Sequence, residues 1–188
     1  MEIITKEELF LSKMSIYKRI EQGDVFIHPT DTIYGIGCSA LSSEAVKRVR
    51  KIKNRPVTPF SIIVPSCEWI YNNCFINKES KRWIEILPGA YTLILNKNNT
   101  KIVEEVAPNI NTIGVRIPKH WISDVVNELG FPIITTSVNL VGESFMTSLE
   151  NLNPKVSKNI DFIMYEGVKV GSPSKIIDLT KEIRIIER

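Results

Sequence analysis

Cysteine is scarce in this 188-residue chain: Cys38, Cys67 and Cys74 are the only three, and no two form a CxxC pair. An odd, scattered set excludes a disulfide framework and a cysteine metal site, and it suits a reducing compartment. Histidine is scarcer, with only His28 and His120. There is no GxxxxGK[ST] phosphate loop, no GxSxG, no HExxH and no internal repeat. "GIG" at 35–37 lacks the third glycine of a dinucleotide fingerprint. No apolar run approaches the length of a membrane span. The start, "MEIITKEELFLSKM", mixes acids and bases and has no apolar centre, so it does not read as a signal peptide. A cytoplasmic protein without membrane partners is expected. A net charge of +3 is too small for wholesale nucleic-acid coating, so any anion site must come from local clustering.

What is present is ordinary for one folded unit: 43% hydrophobic and 24% charged residues. No linker-like stretch divides the chain, and one domain over 1–188 is expected. Thr5 and Glu8 form a capping-box pattern that opens a helix running to Gly23. "VFIHP" reads as a strand. "SSEAVKRVRKIKNRP" reads as a helix capped by Ser42 or Ser43 and closed by Pro56, with Val46, Val49 and Ile52 on one face. "PFSIIVP", "AYTLILN", "NTIGVRIP" and "FPIITTSVN" read as strands. "CEWIYNNCF", "KESKRWIEILPG" and "KHWISDVVNELG" read as helices, the last stopping at Gly130. "IDFIMYEG", "SKIIDLT" and "EIRIIER" are strand-like, the last two forming a hairpin. This interleaving without strict βαβ units predicts an α/β fold: three layers, with a twisted mixed sheet flanked by helices.

Three strands, "VFIHPTDT", "TIGVRIP" and "PIITTSVN", end in hydroxyl, amide or guanidinium groups. Ligands of open α/β sheets sit beyond strand ends. Convergence of these ends would line a pocket with Thr30, Thr32, Thr112, Arg116, Thr135, Thr136, Ser137 and Asn139. Such a lining suits a small zwitterion or a phosphate ester, and Arg116 can grip a carboxylate or phosphate in two places. The same residues also serve as ordinary turn and cap residues. "KRVRKIKNR" carries six cations in nine residues. Lys47, Arg50 and Lys51 are expected to face solvent, while Lys53 and Arg55, at the helix end, can aim back at the strand tips and neutralise a polyphosphate. A Cys38–His28 nucleophile pair, Ser137 as a nucleophile and Asp31 as a water-mediated magnesium ligand are further readings. The glycines at 35 and 37 are expected to let the backbone approach a ligand closely.

Six segments, in order, resemble the YrdC/Sua5 family of threonylcarbamoyl-AMP synthases. "PTDTIYGIGCSA" resembles the opening signature PT[DE]TxYGLG. "KNRP" with "PFSIIV" resembles the KxRP segment, "LPGAYTLIL" PGPxT, "TIGVRIP" TxGVRxP, "PIITTSVN" the TSAN segment, and "GSPSKIIDL" PSTIxD. The resemblance covers nearly the whole chain. It implies the short type of member, a single YrdC-like domain without the extra C-terminal Sua5 domain. It also implies condensation of L-threonine, bicarbonate or CO2 and ATP into threonylcarbamoyl-AMP and pyrophosphate, assisted by Mg2+. The product would feed t6A modification of adenosine 37 in tRNA, with tRNA or other proteins of that machinery as downstream partners.

Site roles carried by the resemblance follow the motifs. Lys53 and Arg55 correspond to the catalytic clamp on the ATP phosphates. Thr32, Arg116, Thr135 and Ser174 correspond to the L-threonine site. Thr112, Ser137, Asn139 and Arg188 correspond to further ATP contacts. The chain departs from the pattern at Lys175, Ala90 and Val138, at Ile63, where many members have histidine, and in a shortened closing arm. No ATP contact is carried onto Phe145. Two other readings remain: an RNA-binding YrdC-like module, and a member with altered carbamoyl or nucleotide chemistry.

Overall fold

The computed structural model describes residues 1–187. Its strands are β1 (Glu2–Ile4), β2 (Phe26–His28), β3 (Gly35–Gly37), β4 (Ser61–Ile63), β5 (Tyr91–Asn96), β6 (Thr112–Arg116), β7 (Ile133–Ser137), β8 (Phe162–Met164), β9 (Lys175–Asp178) and β10 (Arg184–Ile186). They join one ten-stranded sheet in the order β1-β8-β2-β3-β7-β4-β6-β5-β9-β10. The sheet is mixed. β8 runs parallel to β1 and β2, β4 to β6, and β5 to β9. β3 lies antiparallel between β2 and β7, β7 antiparallel to β4, β5 to β6, and β10 to β9.

The helices are α1 (Lys6–Leu11), α2 (Lys13–Glu21), α3 (Ser43–Lys53), α4 (Cys67–Asn73), α5 (Lys78–Glu85), α6 (Ile122–Leu129) and α7 (Pro154–Ser157). Period-2 alternation along each strand sends neighbouring side chains to opposite faces. Ile27, Ile36, Ile62 and Ile134 therefore join Val46, Val49, Ile70, Ile84 and Val156 in one core under α3, α4, α5 and α7. Phe26, Ile63, Ile133 and Phe162 join Leu9, Ile16, Ile20, Ile122 and Val126 in a second core under α1, α2 and α6. Two cores divided by a sheet are the three layers expected from sequence.

The capping box at Thr5 is present: its hydroxyl accepts from Glu8 N, and Glu8 accepts from Thr5 N at 2.8 Å. The single helix expected over 5–23 is instead two. Ser12 leaves helical geometry at φ −113°, ψ 18°, and serine's weak helix propensity makes it a natural break. β1 and β3 were not expected. Ser42, not Ser43, caps α3 by accepting from Ala45 N, and Gly130 ends α6 in the left-handed conformation. No helix among the described residues is long and apolar enough to cross a membrane.

Candidate functional site

The basic run divides by burial. α3 turns its apolar face inward, with Val46 and Val49 fully buried. It ends at Asn54, whose left-handed φ of 49° reverses the chain, and Arg55 N then bonds back to Arg50 O at 3.1 Å. That reversal sends Lys53 and Arg55 toward the sheet. Lys47 is exposed and pairs with Glu105 at 3.2 Å, and Lys51 is exposed, as expected. Arg50 is not solvated: only 8% exposed, it donates to the carbonyls of Glu105, Arg55, Thr58 and Val106 at 2.6, 2.6, 3.1 and 3.3 Å. A guanidinium can serve several acceptors in its plane, and these four carbonyls converge where the chain turns after α3. Arg50 is thus a structural cation.

Lys53 is nearly fully buried. Its ammonium donates to Ser137 O, Asn139 O and Asn139 Oδ1, each at 2.6 Å. Asn139 Oδ1 also accepts from Ser137 Oγ at 2.7 Å. All three ammonium protons therefore hold the tip of β7, with the charge kept at the mouth of the site. Burial, with Arg55 nearby, lowers the Lys53 pKa to about 8. Arg55 is half-buried, with its guanidinium 5.8 Å from the centroid of Phe60.

The turn 29–33 is closed by its own side chains. Thr30 Oγ1 donates to Ile33 O at 2.7 Å, accepts from Thr32 N at 3.1 Å and lies 2.9 Å from Thr32 Oγ1. Asp31 reaches the other way: it accepts from Arg116 Nη2 at 3.0 Å and Lys119 N at 2.9 Å. Arg116 Nη2 also donates to Thr32 Oγ1 at 3.2 Å. Asp31 is therefore committed to aligning Arg116 at the end of β6, which leaves it poorly placed as a metal ligand. Among the described residues no three His, Cys, Asp or Glu side chains gather as a metal site.

Gly35 and Gly37 are packed against side chains of the neighbouring strands. A Cβ on Gly35 would lie 2.8 Å from Thr135 Oγ1 and 2.9 Å from the His28 ring; on Gly37 it would lie 2.9 Å from that ring and 3.1 Å from Phe26. Both glycines make room for His28, paired opposite Gly35 across β2 and β3, and Gly35 also lines the smaller hollow. His28 is fully buried, its Nδ1 lies 3.2 Å from Pro29 O, and burial lowers its pKa to about 3. Cys38 packs in the core on the opposite face, and burial pushes its thiol up. A Cys38–His28 pair does not form.

Two hollows open at the strand ends. The smaller, about 210 Å³, is lined by Thr30, Tyr34, Arg116, Ser137, Asn139 and Ser174 among others. The larger, about 410 Å³, is lined by Arg55, Phe60, Ile94, Ile110, Thr112 and Ile176 among others. Ser61, Thr92, Thr135 and Thr136 line both, so the two hollows lie side by side on a shared wall. At its mouth Lys53, Arg55, Ser137 and Asn139 line a third recess. Thr112, Arg116, Thr135, Ser137, Asn139, Ser174, Lys53 and Arg55 are thus brought together. Thr32 stands behind the wall, bonded to Arg116, and Thr30 takes the lining position. Arg188 lies outside the described residues.

Several lining residues escaped the sequence reading. Ser61 and Thr92 sit inside apolar strands, with the Thr92 hydroxyl 2.7 Å from Ser174 Oγ; nothing local distinguishes them from β-branched or small strand filler. Phe145 walls the smaller hollow despite its divergent surroundings in sequence.

A protein of Methanocaldococcus jannaschii, provisionally named a threonylcarbamoyl-AMP synthase, is 36% identical over 166 residues, covering 86% of this chain and 77% of that protein. The Escherichia coli K12 protein YciO, named as uncharacterized, is 28% identical over 173 residues, covering 90% of this chain and 84% of its own. The crystal structure of Pyrococcus abyssi Sua5 complexed with L-threonine superposes with a TM-score of 0.85 at 27% identity, over 98% of this chain and 56% of that one. This chain therefore spans about half the length of that Sua5. A family model of the Sua5/YciO/YrdC domain, described as "Telomere recombination", matches residues 18–188, and the chain belongs to that family.

Proposed function

We propose that this protein is a threonylcarbamoyl-AMP synthase, joining L-threonine, bicarbonate or CO2 and ATP with release of pyrophosphate. The observation that carries the reading is the adjacency of the two hollows, which share Ser61, Thr92, Thr135 and Thr136 in their walls. The smaller holds an aligned arginine among hydroxyls, suited to an amino acid. The larger has apolar walls with Arg55 on its rim, suited to a nucleoside and its phosphates. That P. abyssi Sua5 was crystallised with L-threonine supports the amino acid as a substrate of this chain.

The chemistry needs no covalent enzyme intermediate. The threonine ammonium gives up one proton to solvent, the free amine adds to the carbon of CO2, and the nitrogen releases a second proton to solvent, giving a carbamate. A carbamate oxygen then attacks the α-phosphorus of ATP, and the bond to the pyrophosphate oxygen breaks. Arg116, held by Asp31, grips the threonine carboxylate. Arg55 meets the triphosphate, while Lys53 keeps its charge nearby and fixes Ser137 and Asn139. Catalysis is then positioning and charge neutralisation. Magnesium arrives on the triphosphate as part of the substrate. The product supplies the t6A modification of tRNA, with transfer carried out by other proteins.

The test is pyrophosphate release from ATP and bicarbonate with and without L-threonine, with the adenylate identified by mass. Release that depends on threonine is expected. Serine should be the better impostor than valine, because a missing methyl costs a pocket little while an unpaired polar group costs much. Salt-sensitive RNA binding without threonine-dependent release would overturn the reading in favour of an RNA-binding module.

A further inference from the structure

Residues 165–174, between β8 and β9, form neither helix nor strand, yet they are tied to the rest of the molecule at several points. The Glu166 carboxylate is the hub. It accepts from His120 Nε2 at 2.9 Å and Trp121 Nε1 at 2.6 Å and pairs with Lys169 Nζ. His120 Nδ1 accepts from Ile122 N at 3.2 Å, so the ring proton sits on Nε2 and points at Glu166. The backbone is tied as well. Glu166 N donates to Tyr34 OH at 3.1 Å, and that hydroxyl donates to Gly167 O at 2.7 Å. Lys169 N donates to Thr147 O at 2.8 Å. Two residues further on, the strap passes flush over the opening turn: a Cβ on Gly171 would lie 2.5 Å from Thr32 O. Pro173 and Ser174 then wall the smaller hollow, with Ser174 against Thr92.

We propose that Glu166 is a positioning residue, a latch that fixes the strap 165–174 as the outer wall of the amino-acid hollow. The inference rests on the assignment of that hollow to L-threonine. Glu166 does not line either hollow; it acts through Gly171, Pro173 and Ser174. The nucleotide side is built from other elements, so loosening the latch weakens amino-acid binding and spares ATP.

The test combines calorimetric binding of L-threonine and ATP with hydrogen exchange on the unliganded protein. Glu166→Ala should weaken L-threonine by about tenfold or more, the scale of one lost charge-assisted anchor, with ATP affinity within twofold of wild type. Glu166→Gln keeps an acceptor for Trp121 and His120 and should fall between. In both variants the amides of residues 166 and 169 should exchange faster while those of β8 stay protected, which separates a released strap from a misfolded chain. Unchanged threonine affinity, an equal loss for ATP, or unchanged strap exchange would each overturn the latch. Failure of the wild type to bind L-threonine would overturn the assignment of the hollow instead, and the exchange comparison would still decide whether Glu166 holds the strap.

Discussion

Three cations on one helix and the turn after it should fail in three different ways when removed. Arg55 stands half-buried on the rim of both the larger hollow and the mouth. Losing one charge-assisted phosphate contact there costs about 1.5–3 kcal/mol, roughly ten- to hundredfold in kcat/KM for ATP. The Lys47 side chain is 60% exposed and pairs with Glu105, an arrangement worth about 0–1 kcal/mol, so Lys47→Ala should leave both activity and stability nearly unchanged. Arg50 donates to four carbonyls. Its loss should cost about 3 kcal/mol, a fall in Tm of roughly 6–12 °C for a chain of this size. The assay is pyrophosphate release against ATP at saturating threonine, alongside a thermal melt of each variant. Arg55→Ala should lose activity at wild-type Tm, Arg50→Ala should lose Tm, and Lys47→Ala should lose neither. Equal kcat/KM for Arg55→Ala and Lys47→Ala would refute the clamp, and a wild-type Tm for Arg50→Ala would refute its structural role.

Asp31→Asn removes the charge that aligns Arg116 and should raise the KM for threonine about tenfold while leaving that for ATP alone; steady-state kinetics in each substrate check this. Lys53, with a pKa near 8, should lose its proton and charge as pH rises, so kcat/KM for ATP should decline above about pH 8. Over pH 8–9.5 the unfolded chain still holds the Lys53 proton that the folded chain releases, so its contribution to stability should rise with pH, and a Lys53→Met control should lack both trends. His28, neutral in the fold down to about pH 3, should make the protein lose stability as pH falls below about 6.5, by up to about 1.4 kcal/mol per pH unit, because the unfolded chain takes up a proton there first. Denaturant unfolding of wild type and His28→Phe at pH 7 and pH 5 should show a smaller acid loss in the variant.

Much of this architecture is legible in sequence because local and global signals agree. Thr5 and Glu8, Ser42 and Gly130 act through their nearest neighbours, and their caps form as read. Val46, Val49 and Ile52 announce a buried face because an amphipathic helix shows its period. The strand tips could be listed because polar groups after apolar runs are conspicuous. The failures are non-local. β3 is Gly-Ile-Gly, a composition that argues against a strand until His28 and Thr135, distant in sequence from one another, are seen to need its empty faces. Arg50 reads as one more surface cation because its four carbonyl partners come from the chain after α3 and from residues 105 and 106. Glu166 carries no motif, and its partners His120 and Trp121 come from the turn just before α6.

The Cys38–His28 pair and Ser137, the nucleophile candidates read from the sequence, are all engaged elsewhere in the fold. Cys38 is fully buried in the core, its thiol 3.6 Å from the Ser39 carbonyl oxygen, and burial holds the thiol in its protonated form. His28 faces the other side of the sheet and cannot serve as its base. Ser137 Oγ is spent on Asn139. A reaction built on these residues must gain its rate by holding two bound molecules in register, an effect that can reach effective molarities of about 10⁵ M or more. Cys38→Ala should therefore retain wild-type kcat for threonine-dependent pyrophosphate release, with at most a modest loss of Tm from the small void. Substitutions at Thr135, shared by both hollows, should by contrast depress the use of both substrates together. A Cys38→Ala enzyme that is folded yet inactive would mean that a covalent step runs through the core, and the positioning account would be wrong.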